Sequence, residues 1–424
     1  MKSLFIKPSD FSSRISDKPL VVFKYLLAGL SLYQAFLWFL DRNAIFFDNG
    51  LFPDQLLKSF YPNGLYSFGE SYGVLLIGLQ ALIAIIAVLS MRSQNVAFFF
   101  LFLIEAFLRK RNFFFTNAGD SLLGALCLFA ALTPAVKWKK NDHSKIKVGD
   151  LLALYILYSI IYFQNFYFKL QSRWITGEGL RDTLRHQELA RFAMDSFANS
   201  RAVVILNHIA LLLVLVSAFS PWIHPRHRKL KYVFWASTVA YHVGANALMD
   251  LSWLSVPFLS LQILLWGKIE TSEPVPENNY SWSWRNVIGL CLCLLGFWGV
   301  RRADELAAFA DHANIVFVHN WNMFAPPPPL TGRWEAIVKG PNGSTLKVDE
   351  EGIKKILSLR DSQHEYKYLY NLRRTEAFPV RRQLQKFLCE KIGKSGDEVQ
   401  LNYQAHFFES DESRTIAFAP RPCN

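Results

Sequence analysis

Apolar runs of about twenty residues recur along this chain, and each is long enough to cross a hydrocarbon core about 30 Å thick as a helix. "PLVVFKYLLAGLSLYQAFLWFL" (Pro19 to Leu40), "YGVLLIGLQALIAIIAVLSM" (Tyr72 to Met91) and "RAVVILNHIALLLVLVSAFSPW" (Arg201 to Trp222) are three of them. Lipid offers the backbone no hydrogen-bond partners, so such runs cross as helices. The composition agrees: the chain is 51% hydrophobic and 15% aromatic, with 36 Phe, and its charged fraction is 19%. The first run is long and ends in aromatics. It is not followed by a small-residue cleavage site, so it reads as a retained helix rather than a signal peptide.

Spans are expected at 20–41, 71–91, 95–108, 117–136, 150–170, 202–221, 230–249, 251–267 and 284–301, about nine crossings by run length. The third and fourth are short or interrupted. After residue 331 the pattern changes. "RWEAIVKGPNGSTLKVD" reads as two strands around an Asn342-Gly343 turn, a hairpin signal. Residues 373–393 look helical, and "EVQLNYQAHFFES" and "SRTIAFAP" look like two further strands. The expected fold is therefore an all-α polytopic membrane bundle over 1–330 and a small α+β domain over 331–424. "HNWNMFAPPPPLTG" joins them, and its four prolines make a stiff spacer.

The formal net charge is +12. It is concentrated in loops, where the positive-inside bias places it, and this argues against nucleic acid as a partner. "VKWKKNDHSKIK", "PRHRKLK" and the N-terminal nineteen residues are all basic. Placing them in the cytoplasm puts the N-terminus inside and, with an odd number of spans, the C-terminal domain outside an inner cell membrane. "LRKRN" (Leu108 to Asn112) then faces outward with Lys169, either as a topology error or as a basic patch at the outer mouth. Cys127, Cys291 and Cys293 fall in apolar runs. Cys389 and Cys423 lie in the polar tail and could pair in an oxidising compartment. No cysteine spacing suits a metal.

"FYFKLQSRWITGEGL" (Phe166 to Leu180) sets Lys169 at the end of an apolar run, followed by Trp174, Gly177 and Gly179. A lysine there either snorkels its amine to the interface or, kept from water, serves as a neutral general base. The glycines allow close backbone approach, and Trp174 offers a flat wall. Asp120 opens a helix, as a cap or as a cavity carboxylate, and Asp250 reads as a cap. His242 and Asn246, four residues apart, share one helix face, either as core residues or as a cavity lining. His208 reads as core. Arg109, Lys110, Arg111, Arg173, Arg181 and Arg185 form either a solvated face or a basic rim. With the amphipathic "RDTLRHQELARFAMDSFANS", that rim would gather an acidic peptide or lipid headgroups.

Several segments resemble one family. "FYFKLQSRWITGEGL" is similar to the K-L-x-x-x-W-x-x-G segment of vitamin K-dependent γ-glutamyl carboxylases and their bacterial relatives, the horizontally transferred transmembrane (HTTM) domain proteins. "TNAGDSLLGAL" (Thr116 to Leu126) resembles the segment before the lysine helix, and "YHVGANALMDLSWLSVPFL" (Tyr241 to Leu259) resembles the later His-then-Asn pair. "DKPLVVFKYLLAG" resembles the first helix, with Lys24 where Arg is more usual, and "NWNMFAPPP" resembles a W-x-M-F-x-P element. Together they cover about residues 15–330 in order.

The resemblance implies a membrane enzyme in which a neutral lysine, here Lys169, deprotonates reduced vitamin K, a menaquinol-like quinol. Oxygen and carbon dioxide act as co-substrates, no metal is needed, and the product is a carboxylated Glu on a secreted peptide. Asp120 and Asn117 stand beside the base, and His242, Asn246, Trp174 and Gly177 line the cofactor site. The family's histidine near the lysine is missing from Thr116 to Leu126, which puts Glu carboxylation itself in question. Asp120 would either orient Lys169 or hold its ammonium.

Membrane lipids are the expected surroundings, and a secreted peptide is a further partner. A second reading is a non-catalytic accessory factor for maturation or export of a secreted peptide or toxin. A transporter ranks last, because the polar residues do not recur in matched halves.

Overall fold

The computed structural model describes the chain except at 1–3, 48–49, 52, 61–69, 113–114, 116–117, 138–144, 171–172, 186–194, 225–226, 250–254, 267–282, 302–329, 361, 374–376, 408–409, 411 and 424. It is mostly helical, with a small sheet near the C-terminus. The long helices are α1 (Lys18–Leu40), α2 (Glu70–Leu89), α3 (Gln94–Arg111), α4 (Ala118–Leu132) and α5 (Leu152–Leu170). After the short α6 (Glu178–Arg185) come α7 (Arg201–Phe219), α8 (Arg228–Leu248), α9 (Ser255–Gln262) and α10 (Trp284–Arg301). Among the described residues, four segments are long and apolar enough to cross a membrane: Lys18–Leu40, Tyr72–Leu89, Val148–Leu170 and Arg201–Trp222. Their outward faces carry exposed large apolar side chains, among them Phe36, Leu82, Ile85, Phe163, Ile205 and Leu212.

Two short strands define one end of the bundle. β1 (Arg14–Ser16) pairs antiparallel with β2 (Lys145–Lys147), with Ile15 opposite Ile146. α1 begins just after β1 and α5 just after β2, so both run away from that end. The amide of Ile6 donates to the Trp222 carbonyl, which brings the end of α7 there too. Leu40 and Leu170 therefore lie toward the opposite end. α2 packs between α1 and α3, α3 against α4, and α5 against α7 and α10.

Lys24 shows how the β1–β2 end is held. It is 0% exposed, and its Nζ donates to Gln94 Oε1 (3.3 Å), Asn95 Oδ1 (3.1 Å) and the Pro134 carbonyl (2.8 Å). A buried ammonium needs such partners. Here they include a carbonyl just past α4, where helix-end acceptors are left over.

The C-terminal part holds β3 (Leu330–Lys339), β4 (Thr345–Val348), α11 (Glu350–Leu357), α12 (Ser362–Asn371), α13 (Phe378–Ile392), β5 (Glu398–Phe407), β6 (Glu412–Ala417) and β7 (Arg421–Pro422). The sheet order is β4-β3-β5-β6, antiparallel, with β7 also paired to β5. The hairpin turns at Gly343, whose φ of 78° suits the Asn-Gly signal. The helix expected at 373–393 is α13, and α11 and α12 were not expected. Cys389 and Cys423 form a disulfide, while Cys127 and Cys293 are buried thiols and Cys291 an exposed one.

This part docks on the bundle end opposite β1–β2. Asp41 Oδ1 accepts from the Arg360 amide at 2.6 Å, and Asp41 Oδ2 lies 2.8 Å from His364 Nδ1. Trp38 stacks on His364, and Phe115 stacks on Tyr368.

Candidate functional site

α5 is apolar in sequence, yet one of its faces is not. Tyr155, Tyr158, Tyr162, Asn165 and Lys169 follow one another at spacings of three and four, which puts them on a single stripe. All five are buried, and Lys169 is 1% exposed. The stripe ends at Lys169, whose Nζ lies 3.7 Å from the centroid of the Trp174 ring. Lys24 also lies over an aromatic ring, Phe98, but at 5.7 Å from its centroid, so Lys169 makes the closer contact with an aromatic face. Snorkelling would bring the amine out to the interface; this one is held inside.

The turn after α5 holds Trp174 in place. Gly177 has φ 86°, and a Cβ there would come within 2.6 Å of Val204 Cγ1. A Cβ on Gly179 would run into the Trp174 ring. Both glycines are therefore required by backbone shape and by close packing of Trp174. Asn207, 0% exposed on α7, clamps the turn: its Nδ2 donates to the Trp174 carbonyl (2.6 Å), and its Oδ1 accepts from the Leu180 amide (3.0 Å). His208, expected in the core, is instead exposed; its ring nitrogens lie against the backbone carbonyls of Val204 and Ile175, the polar groups an exposed imidazole can reach on its own helix turn and on the neighbouring turn.

His242 is buried on α8. Its Nε2 lies 2.6 Å from the Tyr162 hydroxyl, and its ring stacks on Phe258 with centroids 4.8 Å apart. Tyr158 accepts from Gln262 Nε2 (2.6 Å) and from Ser220 Oγ (3.2 Å). Three polar atoms in this region, Asn246 Oδ1, Ser255 Oγ and Gln262 Oε1, are buried without a hydrogen-bond partner among the described residues. Such orphans are costly. Here they leave acceptors for hydroxyl groups of a ligand.

Asp120 lies in the first turn of α4. Its Oδ1 accepts from Gln34 Nε2 at 2.7 Å, while Gln80 Nε2 reaches both Gln34 Oε1 (2.7 Å) and Glu105 Oε1 (2.9 Å). Arg109 acts electrostatically on Asp120 and Glu105. Asp120 is thus both a first-turn acid and part of a buried network joining α1, α2, α3 and α4. Asn117 and Asp250 lie outside the described residues.

The expected basic rim is largely consumed by the fold. Arg111 is 0% exposed, bonded to the Ile45 carbonyl (3.2 Å) and packed over Phe46. Arg173 pairs with Glu178 and Asp182, Arg181 bonds the Ala198 carbonyl, and Arg185 bonds Asn199. Of the expected amphipathic helix, Glu178–Arg185 and Asp195–Ala198 are helical and 186–194 lie outside the described residues.

The structure brings Lys169, Trp174 and Gly177 together at the end of α5, and His242 with Asn246 beside the same helix. Tyr162, Tyr158, Asn207 and Glu105 are the residues that sequence reading missed. The stripe on α5 was the signal for the two tyrosines. Compared with family models, curated proteins and solved structures, the chain matches none.

Proposed function

We propose that the chain is an integral membrane enzyme of the carboxylase-like, HTTM type, with Lys169 as base and a quinol-like lipid as cofactor. Residues 1–330 cross the membrane nine times, with α1 to α5 and α7 to α10 as the spans. The N-terminus is cytoplasmic and 331–424 lie outside. The Cys389–Cys423 disulfide supports that side, since such bonds persist in oxidising compartments. Apolar side chains on the outward faces are the surface for membrane lipids.

The observation that carries the reading is Lys169: a lysine 1% exposed, at the end of an apolar helix, against the face of Trp174. The residues nearby fit a quinol. Asn246 Oδ1 and Ser255 Oγ are open acceptors, and Trp174 and Phe258 are flat apolar surfaces. Bound there, a reduced naphthoquinone supplies an acidic hydroxyl and two electrons for oxygen. Lys169 takes a proton at Nζ, Trp174 keeps water from that atom, and Asn246 and Ser255 orient the hydroxyl. Asp120 serves the bundle through Gln34, and it stands in the segment where the carboxylases carry a histidine. Carbon dioxide and a Glu-containing secreted peptide are the co-substrates to test after the quinol.

The test is oxygen-dependent turnover of reduced naphthoquinols by purified protein, with Lys169→Ala and Lys169→Arg alongside. Arg keeps a charge but cannot give up its proton. Both variants are expected to lose roughly a hundredfold or more, the scale of a general base. No turnover in the wild type across several quinols would move the reading to an accessory factor for a secreted peptide.

A further inference from the structure

A cavity of about 220 Å³ lies at the β1–β2 end, where α4 stops and both α5 and α10 begin; Pro134, Asp150, Trp284 and Arg285 are among its walls. Two opposite charges line it without pairing. Among the described residues, neither Asp150 nor Arg285 makes an ion pair. Asp150 is fixed by the Lys147 amide, which donates to its Oδ2 at 2.9 Å. Arg285 lies over the ring of Trp284, 5.6 Å from its centroid. Both charged residues are partly buried, whereas Trp284 is 65% exposed. Lys24 reaches this wall at Pro134, but its three hydrogens are placed on Gln94, Asn95 and the Pro134 carbonyl, so it takes no part.

An apolar stripe leads away from the cavity along α10. Trp284, Val287, Cys291 and Leu294 follow one another at spacings of three and four, with Ile288 beside them, and all are exposed. The opposite side of the helix is pressed onto α5, since a Cβ on Gly289 would run into Ala153. We propose that the cavity and the stripe together bind one zwitterionic phospholipid, its phosphate on Arg285, its ammonium on Asp150 and an acyl chain along α10.

The volume is below the about 300–1,000 Å³ of small-molecule sites, so the cavity suits a headgroup whose chains stay outside. α10 starts there, and the first amides of a helix are left-over donors that favour an anion beside Arg285. An ionised carboxylate only accepts hydrogen bonds, so Asp150 selects an ammonium that carries N–H over a choline. A Trp and an Arg used only as an interfacial anchor would not need a carboxylate in the same cavity. The site rests on the reading of α10 as a membrane span, and not on Lys169 as base.

The test is native mass spectrometry of the full chain released from nanodiscs of phosphatidylethanolamine, phosphatidylcholine and phosphatidylglycerol in equal parts. The wild type is expected to retain one phosphatidylethanolamine. Arg285→Gln is expected to retain about tenfold less, the scale of one charge-assisted hydrogen bond. Asp150→Asn is expected to retain phosphatidylglycerol as readily as phosphatidylethanolamine. Should either variant fold poorly, Trp284→Ser changes only an outward side chain and is expected to lower retention about threefold, a cation–π contribution. The same lipids in the same amounts on wild type and variants would overturn the site and leave the stripe as ordinary lipid contact. A wild type that prefers phosphatidylglycerol would overturn the zwitterionic assignment. Lipid retention involves no turnover, so quinol chemistry at Lys169 stands or falls separately.

Discussion

At the scale of single residues, the site depends on side chains that sequence reading cannot connect. Lys169, Trp174 and Gly177 were legible because they fall within one short stretch, where a buried charge, a flat ring and a flexible backbone position stand together. Asn207 comes thirty residues later in an apolar run, and nothing local marks it. Its value lies in two backbone groups of another segment, the Trp174 carbonyl and the Leu180 amide. Asn207→Leu keeps the size but takes the side-chain partner from the Leu180 amide, at about 1–3 kcal/mol for an unpaired buried donor, and leaves the Trp174 carbonyl with only the longer bond from the Gly177 amide at 3.3 Å. We expect faster hydrogen exchange at the Leu180 amide and a lower melting temperature. Exchange unchanged at Leu180 would mean that the clamp does not hold the turn.

At the scale of elements, the long helices were visible because apolar length alone identifies them. Their finer content was not. A reading that counts tyrosine as apolar passes over a polar stripe on α5, since Tyr155, Tyr158 and Tyr162 disappear into hydrophobicity. β1 and β2 are three residues each, too short for any alternation to register, and they pair across more than a hundred residues of chain. The C-terminal hairpin, by contrast, announces itself through Asn342-Gly343. The disulfide ties α13 to the chain end beyond β7, closing a loop with a sequence separation of 34. Chain-entropy reasoning gives such a loop about 3–4 kcal/mol of stabilisation. Replacing Cys389 and Cys423 with Ser is expected to lower the melting temperature of the C-terminal unit and to make it insensitive to reductant. A reductant effect that persisted in the double variant would place the sensitivity elsewhere.

At the scale of the whole molecule, the C-terminal unit is packed into the bundle. Trp38, Ile45, Phe46 and Phe115 share one apolar cluster with Tyr368, Leu369, Leu372 and Val380. Sequence reading placed a spacer and then a separate domain, because composition changes at the boundary and composition carries no information about docking. The contact also holds charge. Beside His364 lies Glu365, whose carboxyl is pushed up to about 6, first by burial, then by Glu351, Glu350 and Asp41, against the pull of Lys354. A carboxyl with a raised value in the folded state binds its proton more tightly there than when unfolded. Its contribution to stability is complete below the ordinary value of 4.5 and is lost as pH rises through about 6. Glu365→Gln keeps the neutral shape at every pH. The melting temperature of the wild type relative to this variant should therefore fall as pH rises through that window. A difference that stayed flat, or rose, would mean that Glu365 is charged in the docked state and that its neighbours tolerate it.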